Sequence, residues 1–241
     1  MTNQYRGIVF DLHFTLIHFN PGRGILYQKI CHKYGIEVSP KKIDVAFASG
    51  WRDYSNKELA AELSKHTTER KMEAWWLKFH QKLFQRLEVT DAGAIKKIHQ
   101  EISRHVYNNP KIYKLYPDTL RILPFLKEQG IKLGLITNAH TSMMQVIKIM
   151  GLDQYFDYIA ISCVLGISKP DPKIFTLTAK KLGLPPKDIL FVGDSYHTDV
   201  IGAYKAGCGT AIIDRRNNPL KKQYDCAYLN NLVQLKNLVR Y

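Results

Sequence analysis

The 241-residue chain predicts an α/β fold with a parallel, doubly wound sheet, interrupted after its first strand by an all-helical insertion. Three observations carry that prediction. Short apolar runs rich in β-branched residues recur along the chain. Most are followed by a polar turn and an amphipathic helical pattern, and glycine stands where each of those helices should stop. Strands that alternate with helices pack as a parallel sheet covered on both faces, because every parallel connection needs a long crossover.

The first strand is Gly7–Phe10, and later ones fall at Lys132–Thr137, Tyr158–Ser162, Ile189–Gly193 and Thr210–Asp214. The helices among them are Thr119–Gln129 before Gly130, Thr141–Met150 before Gly151, Pro172–Leu182 before Gly183, and Thr198–Ala206 before Gly207. From Phe19 to Ile112 the pattern changes to successive amphipathic helices. Leu26–Tyr34 stops at Gly35, Pro40–Ala48 follows the capping residue Ser39, and Ala94–Tyr107 precedes Pro110. Glu69–Leu87 places Met72, Trp75, Trp76, Phe79, Leu83 and Leu87 at near-helical spacing, so the Trp75-Trp76 pair reads as packing rather than a ligand cage. Residues 1–18 and 113–241 are therefore expected to form one core domain, with 19–112 inserted as a helical domain.

Composition narrows the function. With 45% hydrophobic and 23% charged residues the chain can bury an ordinary core, which excludes a disordered protein. Cys31, Cys163, Cys208 and Cys226 form no C-x-x-C pair, which argues against a zinc finger or disulfide scaffold; Cys163 and Cys208 border strand patterns and are expected as buried thiols. No signal-peptide pattern opens the chain and no apolar run approaches about 18 residues, so a soluble, cytoplasmic protein without a membrane partner is expected. The net charge of +14 raises a nucleic-acid partner. Its distribution argues against one: 17 Lys and Arg oppose 10 Asp and Glu from Ile17 to Lys111, and 18 oppose 11 elsewhere. Lys41-Lys42, Lys96-Lys97, Arg215-Arg216 and Lys221-Lys222 read as solvated faces. Small anionic substrates suit the charge better.

In a doubly wound sheet, ligands bind outside the carboxyl ends of the strands. Four such ends carry reactive groups here: Asp11 and Thr15, Thr137 and Asn138, Ser168-Lys169-Pro170-Asp171, and Gly193-Asp194-Ser195 with Asp199 beyond. These groups suit transfer of a phosphoryl group to a carboxylate, Asp11 attacking phosphorus and forming an aspartyl-phosphate. Mg²⁺ held by Asp11 and Asp194 would offset the repulsion between an anionic nucleophile and an anionic ester. Lys169 would neutralise both, Thr137 and backbone N–H groups near the Thr141–Met150 helix would hold phosphoryl oxygens, and Asp199 would orient Lys169 or metal-bound water.

Asp11-Leu12-His13-Phe14-Thr15, Ile136-Thr137-Asn138, Lys169-Pro170-Asp171-Pro172 and Gly193-Asp194-Ser195 through Asp199 occur in the order typical of the haloacid dehalogenase-like hydrolase superfamily, which the chain resembles along nearly its whole length. The resemblance implies a Rossmann-like core and a helical cap inserted after the first motif, and places Asn138 among the substrate-binding residues, with Thr15 and Ser195 in support. Phosphatases of this family carry Asp as general acid two residues after the nucleophile, and glycine next; here His13 and Phe14 stand there. The backbone carbonyl at that position completes the metal site, which puts His13 with Asp11 and Asp194 as metal residues. As a side chain, His13 is open to three readings: a working acid–base group, an impaired one, or a residue kept for binding alone. A small phosphorylated substrate is expected, with a C–halogen hydrolase and a catalytically impaired phosphate-binding protein as alternatives. Trp51, Arg52, Tyr54 and His18 are candidate substrate contacts, while His140 and His197, like His18, read as solvent-facing loop residues.

Overall fold

The computed structural model describes residues 5–53, 67–107, 109–215 and 226–239, without the side chains of 51–53 and 106–107. The candidate contacts Trp51, Arg52 and Tyr54 lie outside the described side chains, as do Arg216, Lys221 and Lys222.

Six strands form one parallel sheet. In chain order these are β1 (Gly7–Phe10), β4 (Lys132–Thr137), β5 (Tyr158–Ile161), β6 (Ile189–Gly193), β7 (Gly209–Ile213) and β8 (Ala227–Leu229), arranged β5-β4-β1-β6-β7-β8. β1 and β6 are buried along their full length, as strands covered by helices on both faces must be. Phe10 pairs in register with Leu135 on one side and Val192 on the other. The chain builds outward from β1 to β4 and β5, then crosses back to lay β6 on the other edge of β1. That reversal opens a crevice at the carboxyl ends of β1, β4 and β6, which is where a doubly wound sheet binds its ligand.

β2 (Ile17–Phe19) and β3 (Tyr113–Leu115) pair antiparallel, Ile17 with Leu115 and Phe19 with Tyr113. They are absent from the sequence-based expectation, because three-residue strands paired across a long insertion leave no periodic signal. Between them lie α1 (Arg23–Lys33), α2 (Pro40–Asp53), α3 (Glu69–Gln85) and α4 (Ala92–Ile102), with a π-helical turn at Ser103–Tyr107. α3 buries Met72, Trp75, Phe79, Leu83 and Phe84 along one stripe, and Trp75 stacks on Phe79 with ring centroids 5.6 Å apart. Their apolar contacts continue into those beneath β1: Ile43, Phe79 and Ile98 belong to the same buried cluster as Ile8 and Phe10.

The remaining helices are α5 (Pro117–Glu128), α6 (Met143–Ile149), α7 (Ser162–Leu165), α8 (Pro172–Leu182) and α9 (Ile201–Lys205). Their limits follow local chemistry. Asp171 caps α8 by accepting from the Lys173 N–H at 2.9 Å, Pro172 follows, and Gly183 closes the helix at φ 70°, where a side chain would be strained. The helix expected over Thr198–Ala206 begins instead as a π-helical turn at Tyr196–Val200, and the widened turn carries Asp199. No helix among the described residues is long and apolar enough to cross a membrane.

Candidate active site

Asp11 follows β1 at the crevice and is almost fully buried. The turn after it is held from several sides. Leu12 O accepts from the backbone of Leu16 and Ile17, Leu16 O accepts from the Tyr116 N–H and the Thr119 hydroxyl, and Thr15 O accepts from Arg215 at 2.7 Å. Phe14 adopts φ 62°, a left-handed conformation that costs a non-glycine residue about 1–2 kcal/mol. This explains why glycine is usual there. Packing supplies compensation, since the Phe14 ring meets Phe19 edge-on at 5.7 Å and the Arg23 guanidinium lies 5.0 Å from its centroid.

The Asp11 carboxylate is gripped at both oxygens. Lys169 Nζ donates to Oδ1 at 2.5 Å, and the Thr15 hydroxyl donates to Oδ2 at 3.1 Å. Lys169 also donates to Asp199 Oδ1 at 2.7 Å. Burial alone would lower the Lys169 ammonium, but the charges and hydrogen bonds of Asp11 and Asp199 outweigh it and hold it above the ordinary lysine range. Burial pushes Asp199 up to about 6, with Lys169 opposing and Asp11 reinforcing. Asp199 Oδ2 accepts from the Ser195 N–H at 3.0 Å, while the Ser195 side chain accepts from the Thr198 N–H and caps the turn.

Asp194 completes the group: the carboxylates of Asp11, Asp194 and Asp199 each offer an oxygen within 4.8 Å of the others. The three carboxylates, two of them buried, converge in an all-oxygen donor set that fits a hard divalent cation such as Mg²⁺. His13 contributes no side-chain atom to this cluster. Its ring packs edge-on against Tyr113, centroids 5.5 Å apart, and its Nε2 is buried without a hydrogen-bond partner. Desolvation, then Arg23 and Lys169, push the ring down to about 4, so it is neutral at pH 7.

Thr137 is buried at the end of β4. Asn138, expected on the substrate, commits its side-chain amide elsewhere: Nδ2 donates to Lys169 O and Oδ1 accepts from the Lys169 N–H, both at 2.9 Å. The Thr141 N–H, expected near a phosphoryl oxygen, donates to Glu69 of α3 at 3.1 Å. His140 is not a solvent-facing loop residue, its side chain being 19% exposed with Nε2 3.5 Å from Glu73. His18 hydrogen-bonds Phe19 O through Nδ1 and lies against Tyr116. Cys208 is buried and Cys163 is half-exposed, a correction to its expected burial. Arg215 corrects another expectation: it is nearly buried and pairs with Asp118 at 2.7 Å.

Comparison with known proteins places this geometry. The haloacid dehalogenase-like hydrolase family matches residues 5–207. Haloacid dehalogenase-like hydrolase domain-containing protein 3 of Bos taurus is 25% identical over 214 residues, covering 87% of this chain and 82% of its own. Phosphoserine phosphatase of Thermus thermophilus is 25% identical over 224 residues, covering 88% and 90%. The fold is also that of the magnesium-bound putative HAD-hydrolase YfnB of Bacillus subtilis, with a TM-score of 0.74 at 18% identity and coverage of 99% and 100%. The chain thus belongs to the haloacid dehalogenase-like hydrolase family, and the protein is a hydrolase.

Proposed function

We propose that the protein is a Mg²⁺-dependent phosphatase of a small phosphorylated metabolite, working through an aspartyl-phosphate on Asp11. The observation that carries this reading is the Asp11 carboxylate, fixed at one oxygen by Lys169 and at the other by Thr15, within 4.8 Å of Asp194 and Asp199. A relative of the same length range, the Thermus phosphatase, supports the reaction class.

Asp11 and Asp194 would hold the cation, with the backbone carbonyl of His13 as a further ligand. The chemistry a divalent cation would supply there is to offset the repulsion between an anionic ester and an anionic nucleophile. The chain's own residues do the rest. Lys169 and Thr15 fix the plane of the Asp11 carboxylate, so that attack on phosphorus forms the Asp11 O–P bond as the ester O–P bond breaks, the leaving alcohol oxygen taking its proton from water. Thr137, buried at the end of β4, holds a phosphoryl oxygen. Asp199 orients Lys169, and Asn138 fixes the Lys169 backbone. Water then attacks phosphorus, releasing phosphate and restoring Asp11. The cluster of three carboxylates favours this reading over C–halogen hydrolysis, which has no use for a cation site.

Hydrolysis of an aryl phosphate, whose leaving group needs no proton, tests it. Phosphate release that requires Mg²⁺ and is abolished by Asp11→Asn is expected. Absence of turnover, turnover without metal, or undiminished turnover by Asp11→Asn overturns it; halide release from a 2-haloacid without metal would replace it with the dehalogenase reading.

A further inference from the structure

α3 carries Glu69, Glu73 and His80 on one face, at helical positions i, i+4 and i+11. Two like charges four residues apart repel on a helix. Here each is matched from outside α3 by the loop that follows Thr137 and Asn138. The Thr141 N–H and hydroxyl both donate to Glu69 Oε1, and His140 Nε2 lies 3.5 Å from Glu73 Oε2. Glu73 Oε1 is met by His99 Nε2 at 3.2 Å. Behind it runs a buried chain, His99 Nδ1 to His80 Nδ1 at 2.9 Å and His80 Nε2 to the Tyr27 hydroxyl at 2.9 Å.

The end of that chain at Glu73 has a fixed donor. Glu73 is held below the ordinary carboxylate range by the His99 hydrogen bond, and so accepts. His99 Nε2 is then the donor to Glu73, and the two nitrogens of His80 face His99 Nδ1 and the Tyr27 hydroxyl. Every ring nitrogen of the two histidines thus has a partner, and burial favours a neutral His80. Glu73 is thereby fixed from behind as well as in front.

The loop it holds leads to the reacting centre in two steps. Asn138, next to Thr137, clasps the Lys169 backbone through both ends of its side-chain amide, and Lys169 holds Asp11. We propose that Glu69 and Glu73 are positioning residues: they fasten the first turns of α3 to the 138–142 loop and, through Asn138, set the placement of Lys169 against Asp11. The inference rests on the reading of Asp11 and Lys169 as the reacting centre.

Amide exchange on the full chain, read residue by residue by NMR, tests it without turnover. Glu69 is exposed, so Glu69→Ala leaves the fold intact where Glu73→Ala strands a buried His99 N–H. Glu69→Ala is expected to raise exchange at Thr141 and also at the Lys169 amide, and to lower kcat on an aryl phosphate about tenfold with KM nearly unchanged; Glu69→Gln, which keeps the acceptor, restores both. Faster exchange at Thr141 with Lys169 unchanged overturns the coupling, and unchanged exchange at both overturns the fastening itself. ¹⁵N shifts give the second check: a proton on His99 Nδ1 instead of Nε2 would detach Glu73 from the buried chain. If the wild-type protein fails to turn over, the phosphatase reading falls while the exchange results still decide the coupling.

Discussion

Arg215 is the sharpest test of how the Asp11 loop is supported. Its NH1 donates to Asp118 Oδ2 at 2.7 Å, its NH2 donates to Thr15 O at 2.7 Å, and its guanidinium stacks 3.9 Å over the Tyr116 ring. Both charged side chains are close to 90% buried. Replacing Arg215 by Met keeps the stem and removes the fork. Breaking a buried pair from one side costs about 3–5 kcal/mol, because the remaining charge stays uncompensated. Asp118 retains the Leu232 N–H at 2.7 Å and sits in the first turn of α5, where the helix dipole favours a carboxylate, so the lower end, about 3 kcal/mol, is expected. For a chain of this size that lowers Tm by about 6–12 °C. Arg215→Lys should recover less than half, since one ammonium cannot serve both acceptors. A double-mutant cycle with Asp118→Asn isolates the pair, with coupling of at least about 1.5 kcal/mol expected. A Tm shift under about 2 °C, or coupling below about 0.5 kcal/mol, would refute the assignment of Arg215 as a buried anchor of the Thr15 loop.

Three other outcomes follow from the same structure. A Cβ on Gly193 would lie 2.3 Å from Asp199 Oδ2, so Gly193→Ala displaces Asp199 from Lys169; aryl phosphate hydrolysis should fall about 10²-fold with Tm altered by only a few degrees, and a variant retaining a third of its activity would show that Asp199 is dispensable. Burial pushes the Cys31 thiol up to about 11 and Cys208 up to about 12, so a thiol reagent at pH 8 should modify Cys163 and Cys226 first in the native protein, and rapid loss of Cys208 would contradict its burial. Glu73, through its His99 hydrogen bond, and Asp157, where the Leu133 N–H and Lys127 overcome partial burial, are both depressed in the folded state; their stabilisation is complete above the ordinary carboxylate range near pH 4–4.5 and is lost as pH falls through the lower folded values. Tm measured from pH 6 to 3 should drop toward acid, and less steeply in Glu73→Gln and Asp157→Asn; parallel curves for all three proteins would remove these groups as the cause.

What could be read from sequence divides along a physical line. Strands buried on both faces announce themselves as unbroken apolar runs, and Gly7–Phe10 and Ile189–Gly193 lie where such runs place them. Asp11, Lys169, Asp194 and Asp199 meet because the strand order reverses at β1, and residues just beyond adjacent strands must then converge. The three-residue strands β2, β3 and β8 have no such run, their pairing being decided by distant chain. Charged residues fail for a related reason: nothing local separates Arg215, anchored to Asp118 and Thr15, from a solvated arginine, and His140 looks like a loop residue until α3 brings Glu73 beside it. One signal was nonetheless available. Arg215 follows the end of β7 and His140 follows the end of β4, both on the carboxyl side of the sheet, where Asp11 also lies. A polar side chain placed just past a parallel strand faces a crowded, partly dehydrated crevice rather than open water, so it holds its position only with a partner. The partners found here are Asp118 of α5, the backbone of the Asp11 turn and Glu73 of α3, and they tie to the surroundings of the Asp11 carboxylate the parts of the chain that carry no motif.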